Sequence, residues 1–229
     1  LKLYATEAHE CSYLPGEMAT TLFVDPKTAI DPNLYSELSD YGFRRSGAHL
    51  YRPHCESCQA CIPIRLDTKQ FRPSRNQKRC KRKNSDVSIS VVDSIQTDEH
   101  FLLYEKYIAH RHRDGDMYPA SLDQLQDFLK PVKDCTQYLE LRIGNQLIGL
   151  TVSDNLRNGL SAIYTYFDPS EEQRSLGVFA VLSQIERAKA LNVDYVYLGY
   201  WIKQCQKMSY KSQYKPFQVL INNQWITIA

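Results

Sequence analysis

The chain has 229 residues, of which 43% are hydrophobic, and a formal net charge of +2, which fits one large or two small folded domains with a sizeable core. No run of about 18 apolar residues occurs, so we expect no transmembrane span. The N-terminal residues carry acidic side chains and lack an apolar core, so we expect no signal peptide and a cytoplasmic location.

Residues 1–85 are predicted to form a small N-terminal domain of irregular structure, rich in Cys and Arg. Within it, residues 22–26 and 62–67 have the composition of short strands. Residues 31–42 begin with Asp-Pro and end with Gly, which predicts a capped helix. Ser74 is a suitable N-cap for a further helix that continues to about residue 83.

From residue 86 onward, regular elements alternate with short turns, and residues 86–229 are predicted to form the second domain. The helices are predicted from apolar residues at helical spacing, and the strands from apolar and β-branched runs that end at turn residues. In chain order, the predicted elements are a strand (86–92), helices (97–113 and 121–129), three strands (137–143, 146–154 and 160–168), a helix (177–192), a strand (193–200) and a hairpin (217–228).

This order of helices, antiparallel strands, helix and further strand resembles the GNAT acyltransferase fold. We therefore predict an α+β protein in which a GNAT-like acyltransferase domain follows the smaller irregular domain. Such folds bind the acyl donor where a strand leads into a helix, which corresponds to residues 166–182. Backbone N–H groups at the start of that helix would face the donor.

A strongly basic segment occupies residues 72–83, in which seven of twelve residues are Lys or Arg. Such a cluster suits a polyanion that is bound through its backbone phosphates rather than its base edges. We predict an RNA-binding surface here, with a solvated helix face as the alternative. The residues assigned to this surface are Arg75, Lys78, Arg79, Lys81, Arg82 and Lys83.

The segment 199–216 is rich in Tyr and Lys. Aromatic side chains interleaved with cations are typical of surfaces that stack on nucleotides and pair with their phosphates. Trp201, Tyr210 and Lys211 are therefore predicted to contact RNA. The alternative is a tyrosine-rich helix that packs on the sheet.

Cysteine usage leaves a metal site open. Seven cysteines without a secretion signal favour reduced thiols over disulfides. Cys55, Cys58 and Cys61 have a spacing that is cramped for one zinc ion but familiar for an iron–sulfur cluster, with Cys11 or His54 as a possible fourth ligand. The alternative is a set of packed thiols.

Polar residues also gather near the end of the predicted helix 97–113, where His110, His112, Asp114 and Asp116 occur together. A His or Asp in this position could accept a proton, although an ordinary polar turn is the alternative. The motifs of P-loop hydrolases, dinucleotide oxidoreductases, elbow-type serine hydrolases and zincins do not occur, which argues against those classes.

Seven motifs occur in the order typical of the arginyl-tRNA–protein transferase family. The sequence resembles that family from about Cys11 to Trp225, and most closely its bacterial branch, the aspartate/glutamate leucyltransferases. The motifs are CSYLPGEMATTLFVDP, YGFRRSGAHLYRPHCESCQACIPIR, SRNQKRCKRKN, RHRDGDM, LSAIYTYFDP, RSLGVFAVL and YLGYWIKQCQKMSYKSQYKP.

The resemblance implies an N-terminal family domain, a GNAT-like C-terminal domain and two partners, leucyl-tRNA and proteins that begin with Asp or Glu. It implies that leucine is transferred to those proteins, where it acts as an N-degron that directs proteolysis. No cofactor is expected to be required. Arginyl-tRNA as the donor is one alternative, and a non-catalytic RNA-binding protein on the same scaffold is another.

Two positions depart from the family pattern. Leu14 stands where eukaryotic relatives have a second cysteine, and Cys61 takes the place of an adjacent pair. We therefore expect a variant of the family metal site, with packed thiols rather than bound zinc or an iron–sulfur cluster. Phe179 ends the donor loop where GNAT proteins have a small residue, consistent with a donor other than acetyl-coenzyme A.

The implied reaction is aminolysis of an ester, which requires positioning of the amine and stabilisation of an oxyanion. The backbone N–H groups of Leu176 and Gly177 are predicted to stabilise the oxyanion. A cation should bind the acidic side chain of the acceptor, and we predict Arg65 and Lys203 for this role. His112 or Asp116 is predicted to accept the amine proton.

Overall fold

An eight-stranded sheet lies at the centre of the protein in the computed structural model, which describes residues 1–95 and 97–229. The strands are β1 (Leu3–Ala5), β2 (His9–Glu10), β3 (Met18–Ala19), β4 (Thr21–Val24), β5 (Arg44–Ser46), β6 (His49–Pro53), β7 (Ile62–Asp67), β8 (Ser88–Val92), β9 (Thr136–Ile143), β10 (Gln146–Leu156), β11 (Gly159–Phe167), β12 (Tyr195–Trp201), β13 (Phe217–Ile221) and β14 (Gln224–Ile228).

Four of the described helices begin at capping side chains, whereas the helix that follows Ser175 begins without one. Asp31, Ser74, Thr97 and Ser121 each accept a hydrogen bond from a backbone N–H in the first turn, and Ser74 forms a reciprocal capping box with Gln77. The helices are α1 (Pro32–Asp40), α2 (Arg75–Lys83), α3 (Asp98–Arg111), α4 (Leu122–Phe128) and α5 (Leu176–Ala190), with 3-10 segments at Pro169–Arg174 and Gln206–Gln213.

The large sheet has the order β14-β13-β7-β12-β11-β10-β9-β8. The three strands β9, β10 and β11 form the predicted antiparallel meander, and β13 and β14 form the predicted hairpin. β7, from the N-terminal part of the chain, lies between β12 and β13 and is antiparallel to both. The predicted division of the chain at residue 85 stays a prediction.

The N-terminal region is more regular than we predicted. β1, β4, β6 and β5 form an antiparallel sheet, and β2 and β3 form a two-stranded pair. Of these strands, β4 coincides with the strand predicted at residues 22–26. The others were not predicted because they are short and do not alternate between apolar and polar residues. β5 is even built on two adjacent arginines, Arg44 and Arg45, both of which are buried.

The two faces of the large sheet are covered by different elements, as alternate residues of β12 show. Val196 and Leu198 pack in one apolar cluster with Ile185 of α5. Tyr197, between them, belongs to another cluster, with Tyr35 of α1. The core therefore has two layers, one on each face of the sheet.

A buried ion pair connects the N-terminal sheet to the large one. Arg45 of β5 donates through Nε and Nη2 to the carboxylate of Asp154 on β10, at 2.6 and 2.9 Å. The hydroxyl groups of Tyr35 and Thr136 donate to the same carboxylate, at 2.7 and 2.6 Å. The carboxylate thus has a full set of donors although it is shielded from water.

A gap opens in the middle of the large sheet. β11 and β12 are parallel, and they pair only where Gly159–Ser161 lies beside Tyr195–Tyr197. Beyond this point β11 continues beside β10, whereas β12 continues beside β7. The carboxyl ends of the two strands therefore separate, which is where parallel α/β folds commonly bind ligands.

Among the described residues, no helix combines the length and the apolar character that a membrane crossing would require.

Candidate functional site

The start of α5 lies after the end of β11, on one side of the gap. Ser175, before the helix, has a left-handed backbone with φ of +54°. The N–H groups of Leu176 and Gly177 belong to the first turn and have no partner within the helix. A Cβ atom at Gly177 would lie 3.4 Å from Cε1 of Phe167, so this turn packs closely on the end of β11. The predicted oxyanion role of both N–H groups stays a prediction.

All six predicted cations of α2 are exposed, whereas Gln77 and Cys80 face the protein. Lys81 forms a 3.5 Å ion pair with Glu186, but both side chains are largely in solvent and the pair contributes little stability. Within residues 1–95 and 97–229, the other five cations of α2 form no salt bridge. The helix therefore presents an uncompensated positive surface to solvent.

A cavity of about 580 Å³ lies between part of α2 and the start of α5, which are also in contact through Cys80. Its lining includes Arg79 and Lys83 of α2, Ser175, and Tyr210 of the 206–213 segment. Three of the predicted RNA-contact residues therefore meet beside the first turn of α5. The side chain of Tyr210 is 42% exposed, which leaves its ring available for stacking.

The other two residues predicted in the 199–216 segment have different surroundings. Trp201 is half-buried and its ring meets that of Phe217 edge to face, at 6.0 Å. The ammonium of Lys211 turns inward and donates to the backbone oxygen of Tyr200 at 2.6 Å. Burial, followed by the charge of Arg44, lowers the pKa of Lys211 to about 8. Lys211 is thus not part of the exposed positive surface that we expected.

An aromatic cluster borders the start of α5 from the side of α3. The ring of Tyr107 lies 5.1 Å from that of Phe167 and 5.4 Å from the imidazole of His112. Burial, followed by the charge of Lys207, lowers the pKa of His112. The imidazole is therefore neutral near pH 7 and able to accept a proton.

The remaining acidic candidate, Asp116, is exposed, and its backbone oxygen accepts a hydrogen bond from Gln124. Nearby, Asp114 pairs with Lys207 at 3.6 Å and His110 lies 3.6 Å from Glu172. Of this polar group, His112 is the side chain that packs into the aromatic cluster.

Arg65 and Lys203, predicted to bind the acidic acceptor, lie in different environments. Arg65 is buried, and its guanidinium donates to Gln218 at 2.7 Å and to Asp40 at 3.1 Å. It also stacks on the ring of Tyr195, at 3.6 Å from the ring centre. Asp40 thus already balances its charge. Lys203 is exposed, and the acceptor role of both residues stays a prediction.

Arg44 was not predicted from the sequence to have a role. It is nevertheless a buried arginine with free donors, as expected of a residue that binds the acidic side chain of the acceptor. Its side chain is 3% exposed, and its guanidinium lies 5.1 Å from the ring centre of Tyr197. Nη1 donates to the backbone oxygens of Phe43 and Ser39, at 2.6 and 3.0 Å. In the described part of the chain, Nε and Nη2 have no partner. The sequence itself shows only two adjacent arginines between Phe43 and Ser46.

The four candidate cysteines line one cavity of about 680 Å³ that Tyr200 also borders. Burial and the neighbouring thiols raise the pKa of Cys61 to about 11. The thiols are thus close enough to interact. No group of three or more His, Cys, Asp or Glu in ranges 1–95 and 97–229 is arranged to hold a metal ion. Cysteine sulfurs are suitable ligands for zinc or an iron–sulfur cluster, but in this structure they are not arranged to hold either one.

Comparison with known sequences matches both halves of the chain to one family. Residues 9–79 match the family model described as "Arginine-tRNA-protein transferase, N terminus", and residues 99–221 match the corresponding C terminus. The aspartate/glutamate leucyltransferase of Saccharophagus degradans is 60% identical over 228 residues, which cover 99% of this chain and 97% of the relative. That of Teredinibacter turnerae is 57% identical and covers 100% of this chain and 94% of the relative.

Comparison with solved structures finds similar folds at low sequence identity. L-PGS from Bacillus licheniformis superposes with a TM-score of 0.51 at 12% identity, covering 82% of this chain and 61% of that chain. A C-terminal DUF2156 domain from Agrobacterium fabrum gives a TM-score of 0.50 at 14% identity, with coverages of 81% and 62%. This chain thus spans about three fifths of the length of both, and the likeness concerns the mixed α/β fold alone.

Proposed function

This chain belongs to the arginine-tRNA-protein transferase family, and from that premise we propose that it transfers leucine from leucyl-tRNA to proteins that begin with Asp or Glu. The observation that carries the proposal is the 60% identity to an aspartate/glutamate leucyltransferase across 99% of this chain. The product bears an N-terminal leucine, which acts as an N-degron. We place this reaction in the cytoplasm, where charged tRNA and newly exposed N-termini meet.

The reaction centre is placed at the gap between β11 and β12. Parallel strands that separate beside the start of a helix support a GNAT-like acyltransferase domain, here residues 86–229. The N-terminal 85 residues form the smaller family domain. Gly177 packs closely on Phe167 at the end of β11, which supports a position of the first-turn N–H groups of α5 beside this gap.

The chemistry is attack of a neutral α-amine on the leucyl ester. The amine nitrogen bonds to the ester carbonyl carbon, and the N–H groups of Leu176 and Gly177 stabilise the oxyanion that forms. His112 accepts the proton that the amine loses. The bond to the terminal ribose oxygen of the tRNA then breaks, and that oxygen takes up a proton. These steps require neither a covalent enzyme intermediate nor a cofactor.

The tRNA is bound by the exposed cations of α2. The cavity between α2 and α5 continues this positive surface to the first turn of α5, so the end of the tRNA that carries leucine can reach the gap. Tyr210 stacks on a nucleotide there.

The test is transfer of labelled leucine from leucyl-tRNA to peptides that begin with Asp or Glu. We expect labelled product with leucyl-tRNA and little with arginyl-tRNA. Efficient transfer from arginyl-tRNA would contradict the assignment of the donor. Binding of tRNA without transfer of either amino acid would instead support the non-catalytic alternative.

Removal of cations from α2 should weaken tRNA binding and its dependence on salt. We expect each of Lys78→Ala and Arg79→Ala to reduce the slope of log Kd against log salt concentration by about 0.7–0.9, because each phosphate contact releases a counterion. Lys27→Ala and Lys133→Ala remove exposed cations elsewhere and serve as controls. Equal slopes for all four variants and the unmodified protein would remove α2 from the tRNA interface.

The cysteines are proposed to be packed thiols. We expect protein purified without oxygen to contain less than stoichiometric zinc and iron, and chelators to leave its Tm unchanged, because a structural metal would contribute to folding. Cys61→Ser should cost about 1–3 kcal/mol through a poorly paired hydroxyl. Cys135 is buried outside the cavity, so Cys135→Ser is the control for the cost of replacing a packed thiol. One equivalent of metal per chain, lost together with Tm on chelation, would contradict this expectation.

A further inference from the structure

Arg44 has a positive charge that the described protein does not balance. It is almost fully buried, and no Asp or Glu among residues 1–95 and 97–229 forms an ion pair with it. Its contacts to two backbone oxygens leave Nε and Nη2 without acceptors. Buried charges in folded proteins are paired, and buried polar groups without a partner call for an explanation.

The next residue shows what the free edge of Arg44 can bind. Arg45 uses Nε and Nη2, which point the same way, to hold both oxygens of Asp154. These are the two nitrogens that are free in Arg44. The unoccupied edge of Arg44 is therefore the side of the guanidinium that matches a carboxylate in two parallel hydrogen bonds.

Lys211 places a second cation near Arg44. Its ammonium donates to the backbone oxygen of Tyr200, and no carboxylate in the described part of the chain pairs with it. The charge of Arg44 contributes to the lowered pKa of Lys211, so the two cations repel each other. An anion between them would relieve both the repulsion and the missing hydrogen bonds.

Both cations lie at the gap between β11 and β12. Lys211 Nζ is 3.7 Å from where a Cβ atom of Gly199 would stand, in the unpaired part of β12. The Arg44 guanidinium lies 6.0 Å from the ring centre of Tyr200, the next residue of that strand. Because the guanidinium is also 5.1 Å from the ring centre of Tyr197, both cations border β12 around the point where it leaves its partner β11, which is where we place the reaction centre.

We propose that Arg44, assisted by Lys211, binds the side-chain carboxylate of the acceptor's N-terminal Asp or Glu. This assignment rests on the proposed function, because it supplies the acceptor site that the reaction needs. It makes Arg44 the residue that determines specificity for an acidic N-terminus. The α-amine of the bound residue, a few bonds from the carboxylate, is then held near the gap.

A carboxylate suits this place better than a phosphate of the tRNA does. The free edge of Arg44 offers two parallel donors and is enclosed by protein, whereas the exposed cations of α2 already form an open surface for a polyanion. Asn and Gln have the same shape as Asp and Glu but no charge. They would leave the two cations buried and uncompensated, and are rejected for that reason.

The carboxylate reaches Arg44 past a layer of tyrosines. Tyr51 lies opposite Arg44 in the register of β5 and β6, and Tyr200 lies against its guanidinium. Both tyrosines also line the 680 Å³ cavity. Arg44 is not among the residues that line this cavity, so we expect the two tyrosines to move when the acceptor binds.

The first experiment measures peptide binding without tRNA. Calorimetry compares a peptide that begins with Asp with the matched peptide that begins with Asn. We expect the Asp peptide to bind about 100-fold more tightly to the unmodified protein, and this preference to fall to a few-fold in Arg44→Met. A preference that is absent from the unmodified protein, or that survives unchanged in Arg44→Met, would overturn the proposal.

The second experiment measures leucine transfer to the same two peptides. In Arg44→Met, the ratio of kcat/KM for Asp over Asn should collapse, mainly through KM for the Asp peptide. Arg44→Lys keeps the charge but loses the two parallel donors, so it should have an intermediate ratio. Lys211→Met should also lower the ratio of kcat/KM for Asp over Asn. If Arg44→Met does not fold, this second variant still tests the proposal. A Lys211→Met protein with an unchanged ratio would remove Lys211 from the site.

Arg187→Met provides the matched control. Arg187 is half-buried and likewise donates to an uncharged acceptor, Oε1 of Gln137, at 3.3 Å, but it lies outside the 680 Å³ cavity. We expect this variant to keep the Asp over Asn preference in both experiments, and equal losses in Arg44→Met and Arg187→Met would overturn the proposal. Selective binding of Asp peptides without leucine transfer would contradict the proposed function but would still support the carboxylate site at Arg44.

Discussion

Asp154→Ala is expected to lower the free energy of unfolding by about 3–5 kcal/mol. The change removes the carboxylate to which Arg45 donates twice, and leaves a guanidinium charge enclosed by protein. The hydroxyl groups of Tyr35 and Thr136 lose their acceptor as well. Because this cluster connects the N-terminal sheet to β10, we expect the loss to appear in a single urea unfolding transition of the whole chain.

The matched control is Asp86→Ala. Asp86 also accepts two hydrogen bonds from one arginine, Arg174, at 2.8 and 2.9 Å, but its side chain is half exposed. Water screens such a pair, so this change should cost much less stability than Asp154→Ala does. Replacing both Arg45 and Asp154 by apolar residues of similar size should recover much of the loss. An Asp154→Ala protein as stable as Asp86→Ala would show that the buried pair contributes little.

His112→Ala is expected to lower kcat for leucine transfer by about 10²- to 10⁴-fold, the usual range for removal of a general base. His112 has a lowered pKa, so its imidazole is neutral at pH 7 and becomes protonated only in acid. The rate of the unmodified enzyme should therefore fall as the pH decreases below the ordinary histidine pKa. The part of this acidic limb that is due to His112 should disappear from the pH profile of the variant, which keeps only the decrease caused by protonation of the acceptor's α-amine below about pH 8.

His110→Ala is the control for this change. His110 lies two residues away at the same helix end, but its side chain is exposed and faces Glu172 at 3.6 Å. We expect kcat and the pH profile of His110→Ala to match those of the unmodified enzyme. A His112→Ala protein that keeps both would show that another group, or water, takes the amine proton.

The sequence predicted the elements whose signals are local. Ser74 and Ser121 cap the helices that they were expected to cap, and the meander and the last hairpin form as expected. Turn chemistry, capping and apolar periodicity act within a few residues, so one sequence suffices to detect them.

The features that escaped prediction depend on contacts between distant parts of the chain. β5 was missed because its two arginines look like surface residues until the carboxylate of Asp154, 109 positions later, is brought beside Arg45. Arg44 was missed for the same reason. Lys211 was expected on the surface because nothing near it in the sequence indicates that its ammonium turns inward.

The position of β7 has a consequence for synthesis on the ribosome. Arg65 of β7 bonds to Tyr197, which is made 132 residues later, and the final hairpin joins the large sheet through β7. An emerging chain must therefore keep this apolar strand unpaired until almost the whole sequence has left the exit tunnel. Such long delays slow folding and expose strand edges to aggregation. We expect nascent chains of this protein to be clients of chaperones that bind extended apolar segments.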